Sequence, residues 1–97
     1  MPYLSWMEGT LLRRHRLEGD CLVGRDGDCA VALPAESSVS RRHAAILVDG
    51  AGAWWLRDLE SRNGTLLNGL PVGHPHGSRL QDGDELRLGD WVAHYTV

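Results

Sequence analysis

Five dipeptides of one kind punctuate this chain: Asp26-Gly27, Asp49-Gly50, Asn63-Gly64, Asn68-Gly69 and Asp82-Gly83. Such pairs accept the positive φ angles of tight turns, because glycine has no Cβ and Asn and Asp tolerate the left-handed region. Between them lie short runs such as Cys21-Leu22-Val23, Ala30-Val31-Ala32-Leu33 stopped by Pro34, and Ala44 to Val48. The last is continuously apolar, as a strand buried on both faces or central in a sandwich would be. Nearer the end the pattern alternates. Leu86 and Leu88 oppose Glu85 and Arg87, then Trp91, Ala93, Tyr95 and Val97 oppose Val92, His94 and Thr96. Short strands with turns every eight to twelve residues predict an all-β sandwich, and seven or eight strands can be counted this way. Met7, Leu11 and His15 recur at helical spacing, but Gly9 and the β-branched Thr10 interrupt them, so Met7 to Glu18 reads as strand and turn. No repeat, low-complexity tract or linker divides the 97 residues, so residues 1–97 are expected to form one domain. Phenylalanine is absent, which leaves Trp6, Trp54, Trp55 and Trp91 to supply the bulky core pieces.

Several function classes fall away on charge and spacing. A net charge of −3 argues against an affinity built on nucleic-acid backbone neutralisation. Within a strand, Arg13-Arg14-His15-Arg16 would be split over two faces, with Glu8, Glu18 and Asp20 nearby, and reads as a solvated edge that discourages aggregation. His74-Pro75-His76 offers two ligands where a closed tetrahedral metal site needs four, and Cys21 and Cys29 lie eight apart without a CxxC partner. The cysteines read as small core or near-core thiols in a reducing compartment. Ser40, His43 and Asp58 could be imagined as a catalytic triad, but no nucleophile elbow surrounds the serine and nothing suggests an oxyanion hole. No enzyme activity, cofactor, metal or small-molecule substrate is therefore expected. The N-terminus MPYLSWMEGT lacks a signal-peptide pattern, and no stretch nears the ~20 apolar residues of a membrane span. A cytoplasmic setting follows as the expectation, or a nuclear one in a eukaryote.

What remains unexplained is a set of polar residues on three glycine-marked loops: Gly24-Arg25, Ser40-Arg41-Arg42-His43 and Ser61-Arg62-Asn63-Gly64-Thr65. Arginine presents a planar fork of donors that matches phosphate oxygens two at a time, and charge-assisted hydrogen bonds are the strong ones. A serine hydroxyl can add a donor, and an asparagine amide can hold the backbone beside the phosphate with one acceptor and two donors. Fourteen residues separate Arg25 from Ser40, and nineteen separate His43 from Asn63.

In order and spacing this set resembles the signature of the forkhead-associated (FHA) domain, a phosphothreonine-peptide binding module, over about residues 22–97. The resemblance implies an eleven-stranded antiparallel β-sandwich with its binding loops at one end. It implies phosphate contacts from Arg25, Ser40 and Arg41, and a peptide-backbone contact from the Asn63 amide. His43 would pack beneath the loops and hold their shape, with Gly24, Gly64 and Thr65 also supporting the site. Many family members carry threonine where this chain has Arg62, so Arg62 either adds a cation or lies in solvent. Arg42 reads as a solvated neighbour, and Asn68-Gly69 as a hairpin turn. The expected partner is a phosphothreonine-containing protein in Ser/Thr kinase signalling. The alternative is an FHA-type scaffold that binds a partner through a sheet face regardless of phosphorylation.

Overall fold

The two alternating runs at the end of the chain set the interior. Leu86 and Leu88 are buried on β10 (Glu85–Leu88), and Trp91, Ala93 and Tyr95 are buried on β11 (Trp91–Thr96), while Arg87 and His94 stay exposed. Their apolar faces need a second layer, because a sheet with one greasy side must bury it against another element. Ile46 and Ala44 of β5 (Ala44–Val48), Leu56 of β6 (Trp54–Asp58) and Val23 of β3 (Cys21–Gly24) supply it, all essentially inaccessible to water.

The computed structural model describes all residues, Met1–Val97, and is all-β. The remaining strands are β1 (Tyr3–Glu8), β2 (Leu11–Arg16), β4 (Val31–Ala32), β7 (Thr65–Leu67), β8 (Leu70–Pro71) and β9 (Ser78–Arg79). They complete a six-stranded sheet in the order β2-β1-β11-β10-β7-β8 and a five-stranded one in the order β4-β3-β5-β6-β9. The total is eleven strands, not the seven or eight that turn counting finds. Turn counting misses strands such as β8 and β9, two residues each, too short to show a period. All pairings are antiparallel except one: the loop from Arg25 to Ala30 arches back and lays β4 parallel to β3.

Two expectations are revised. Of the four tryptophans only Trp91 is fully buried; Trp6 and Trp54 pack against the core from its margin, and Trp55 is half-buried. The narrow interior is filled instead by Leu, Ile, Val and Ala. Val97 lies beyond β11 and is exposed.

Asn68 and Gly69 both adopt positive φ, 51° and 82°, in the β7–β8 hairpin. β2 is a fully paired edge strand, in register with β1 from Tyr3↔Arg16 to Glu8↔Leu11. Its Arg13 and Arg16 lie 4.0 Å from Glu8 and 3.9 Å from Glu18, and the Arg14 guanidinium sits 4.8 Å from the centroid of the Tyr3 ring. No helix is long and apolar enough to cross a membrane.

Candidate functional site

The three motif loops leave strand ends on the same side of the sandwich. Arg25 follows β3, Ser40 to His43 precede β5, and Ser61 to Gly64 lie between β6 and β7. The β10–β11 turn, Gly89-Asp90, joins them. Backbone bonds lace the first two loops together: Arg25 N–H donates to Ser40 C=O at 3.1 Å, and Asp26 N–H to Arg41 C=O at 3.0 Å.

Gly24 is required by this close approach. A Cβ there would overlap the Arg41 carbonyl oxygen, which is backbone and cannot rotate away. Gly24→Ala should therefore destabilise by roughly 1–3 kcal/mol, as overpacking does, and lower the melting temperature by about 4–8 °C per kcal/mol. An unchanged melting curve would mean that the two loops part easily.

His43 is fully buried beneath the loops. Its Nδ1 accepts the Ser40 N–H at 3.0 Å, so Nε2 carries the proton and donates to the Gly64 C=O at 2.8 Å. Its own backbone N–H reaches Val23 C=O at 3.0 Å, and its C=O accepts Leu59 N–H at 3.0 Å. One residue thus ties β3, the second loop and the third loop to a common point.

Asp58 organises the third loop, a role its sequence position does not advertise. One carboxylate oxygen accepts the hydroxyls of Ser61, at 2.5 Å, and Thr65, at 2.7 Å; the other accepts Ser61 N–H at 3.1 Å. The Ser61 hydroxyl in turn accepts Gly64 N–H at 2.9 Å. Glu60 is held at φ 56° and Gly64 at φ 82°, and left-handed backbone is uncommon for a residue with a Cβ. Burial would raise the Asp58 carboxyl, but its hydrogen bonds to Ser61 and Thr65 outweigh it and hold the group below its ordinary value of 3.8. A depressed native pKa means stability present above the unfolded value and lost as pH falls through the native one. Asp58→Asn should melt earlier than the parent at pH 7, and the gap should begin to shrink only as pH falls below about 4, closing once the native carboxyl is protonated. A gap independent of pH would remove the ionised carboxylate from this account.

On the rim, Ser40 Oγ accepts Arg62 N–H at 3.0 Å, which leaves the hydroxyl proton free to be donated. Asn63 Nδ2 donates to Ser38 C=O at 2.8 Å, so one amide proton is used within the fold while the Oδ1 acceptor stays available. Ser38, absent from the sequence-based set, also accepts Asp90 N–H on its Oγ at 2.8 Å and so bolts the β10–β11 turn to the site. Arg25 is half-buried and spends Nε on Val39 C=O at 2.5 Å. Its two terminal nitrogens are not so used. Arg41 and Arg62 are exposed. None of these three arginines pairs with a carboxylate, in contrast to Arg42, which lies 3.0 Å from Asp28 and 3.7 Å from Asp26 and is neutralised. Three uncompensated guanidinium groups on loops that meet around a serine hydroxyl can hold an anion with several negatively charged oxygens.

The residues imagined as a triad do not form one. Neither ring nitrogen of His43 meets the Ser40 hydroxyl, and Asp58 bonds hydroxyls rather than the imidazole. No cluster of three or more His, Cys, Asp or Glu side chains could hold a metal. Cys29 is buried and donates weakly to Arg41 C=O at 3.5 Å, while burial and neighbouring negative charge push the Cys21 thiol up to about 11.

The profile of the FHA domain matches residues 21–89. FHA domain-containing protein FhaA of Mycobacterium tuberculosis is 46% identical over 72 residues, 74% of this chain but only 13% of FhaA. The crystal structure of the FhaA FHA domain complexed with the intracellular domain of Rv3910 superposes with a TM-score of 0.84 at 38% identity, covering 98% of this chain and 99% of that one. A structure from work on phosphothreonine-dependent FHA domain interactions gives 0.81 at 36% identity, covering 99% and 95%. Signature, fold and relatives converge: the chain belongs to the forkhead-associated domain family.

Proposed function

We propose that residues 1–97 form a single FHA domain that binds a phosphothreonine-containing protein in Ser/Thr kinase signalling, and that the rim residues carry the contact. FHA domains are phosphothreonine-peptide binding modules. The observation that supports the assignment here is the trio of unneutralised arginines on the loops that meet at Ser40. The terminal nitrogens of Arg25 and the guanidinium of Arg41 take the phosphate oxygens, Ser40 donates its hydroxyl proton, and Arg62 adds a third cation. The Asn63 amide holds the peptide backbone through its free Oδ1. Gly24, His43, Gly64 and Thr65 keep the loops in place. The domain works by binding, with no catalytic residue, metal or cofactor, in a cytoplasmic or nuclear setting.

Titration calorimetry with a phosphothreonine peptide and its unphosphorylated twin tests this reading. Binding should be confined to the modified peptide. A phosphoserine version should bind roughly tenfold to two-hundredfold more weakly, the range a single methyl is worth in a small apolar pocket. Equal binding of the phosphorylated and unmodified peptides would reject the phosphate site altogether. Equal binding of the two phosphopeptides would reject only the preference for threonine.

A further inference from the structure

The sheet carrying β1 and β11 is split at the end where the binding loops cluster. The two strands pair over Tyr3↔Thr96, Leu4↔Tyr95 and Ser5↔His94, and there the ladder stops. β1 continues to Glu8 with only β2 beside it, and β11 begins at Trp91 with only β10 beside it. Strand edges at Trp6–Glu8 and at Trp91–Ala93 are thus left without a partner on their facing sides.

Two clefts, of about 320 and 190 Å³, occupy this split and share Trp6, Met7, Glu36 and Trp91 in their walls. Two exposed apolar side chains line the larger cleft: Met7 is 58% exposed and Leu12 60%. Trp6 and Trp91 meet edge to face, with ring centroids 5.5 Å apart, and both indole N–H groups are buried without an acceptor. The rim is acidic. Glu36 and Asp90 line the larger cleft and neither is ion-paired.

This split adjoins the phosphothreonine site. Asp90 is bonded to the Ser38 hydroxyl, the Ser38 carbonyl is bonded to Asn63, and Glu36 lies two residues before Ser38 on the same loop. The surface is therefore polarised, with free arginines around Ser40 and free carboxylates and apolar side chains beside Trp91.

We propose that the split between β1 and β11 receives a second stretch of the phosphorylated partner, an extended segment flanking the phosphothreonine that carries apolar and basic side chains. Unpaired strand edges give an extended backbone its hydrogen-bond partners, Met7, Leu12 and the tryptophans take the apolar side chains, and Glu36 and Asp90 take the basic one. The inference rests on the phosphothreonine reading. A segment more than about three residues from the phosphothreonine, ~10 Å of extended chain, is the stretch that reaches it.

A library of peptides with a fixed phosphothreonine and about eight randomised residues on either side, ~26 Å of extended chain, provides the probe. The parent should enrich Leu, Ile, Val or Met together with Lys or Arg beyond the third position on one side. Resynthesised long peptides should bind about threefold to tenfold more tightly than versions cut at the third residue. Met7→Ser combined with Leu12→Ser should abolish that gain while leaving the short phosphopeptide's affinity unchanged. Glu36→Gln should remove only the preference for the basic residue. Phosphopeptide binding with no distal preference, or a distal gain that survives Met7→Ser/Leu12→Ser, overturns the proposal while leaving the phosphate site standing. A parent that sediments as a dimer, made monomeric by Leu12→Ser, also overturns it, because a second copy would then fill the split. Equal binding of a resynthesised long peptide and its unphosphorylated twin would instead be the failure of the phosphothreonine reading itself.

Discussion

Arg25→Ala should weaken binding of a phosphothreonine peptide by roughly tenfold to a hundredfold or more. Hydrogen bonds to charged groups contribute about 1.5–3 kcal/mol each, and 1.4 kcal/mol is a factor of ten. Arg25 differs from the other free arginines of the rim in being half-buried and anchored through Nε to the Val39 carbonyl. That anchor fixes the plane of the guanidinium before a ligand arrives, so less side-chain freedom is lost on binding. Arg41 and Arg62, exposed and unanchored, should each matter less. The variant should stay folded with a modest loss of stability: the backbone bond from the Arg25 N–H to Ser40 does not involve the side chain, but the Val39 carbonyl loses its Nε donor. Calorimetry on Arg25→Ala beside the parent checks the assignment. Equal affinities would place the phosphate elsewhere on the surface.

The legible part of this protein was what depends on residue type at a fixed spacing. Turn pairs and alternation reveal an all-β chain, and the three loop motifs bring in the family and its sandwich. The illegible part depends on who meets whom across the fold. Asp58 shows in the sequence only as a carboxylate near the third loop, and its grip on Ser61 and Thr65 exists because β6 ends beside the start of β7. Ser38 joins Asn63 and Asp90, 25 and 52 residues away in sequence, and no local pattern could announce that. The tryptophans mislead for a related reason. Size suggests core, yet the gap between two short-stranded sheets admits Leu and Val more readily than an indole, and three of the four lie at its margin or outside it. Arg42 looks equivalent to Arg41 in sequence; only the arch that brings Asp26 and Asp28 to it shows that its charge is already met.

His43→Ala should act mainly on stability. Truncation removes the acceptor of the Ser40 N–H and the donor to the Gly64 carbonyl, and leaves a hole under both loops. Unsatisfied buried groups cost about 1–3 kcal/mol apiece and cavities add to that, so a loss of roughly 2–4 kcal/mol is expected. For a domain of this size each kcal/mol moves the melting temperature by about 4–8 °C, which puts the midpoint roughly 8–32 °C lower. The rim should then be looser but still supplied with its arginines, serine and asparagine. Measured well below the new midpoint, phosphopeptide affinity should fall less than it does for Arg25→Ala. The two variants therefore separate on two axes, Arg25→Ala losing binding with the smaller loss of stability and His43→Ala losing stability first. The opposite pattern for His43→Ala, an unchanged melting curve with binding abolished, would require the imidazole to reach the ligand itself. That is incompatible with a ring that is fully buried and has both nitrogens engaged by the loops above it.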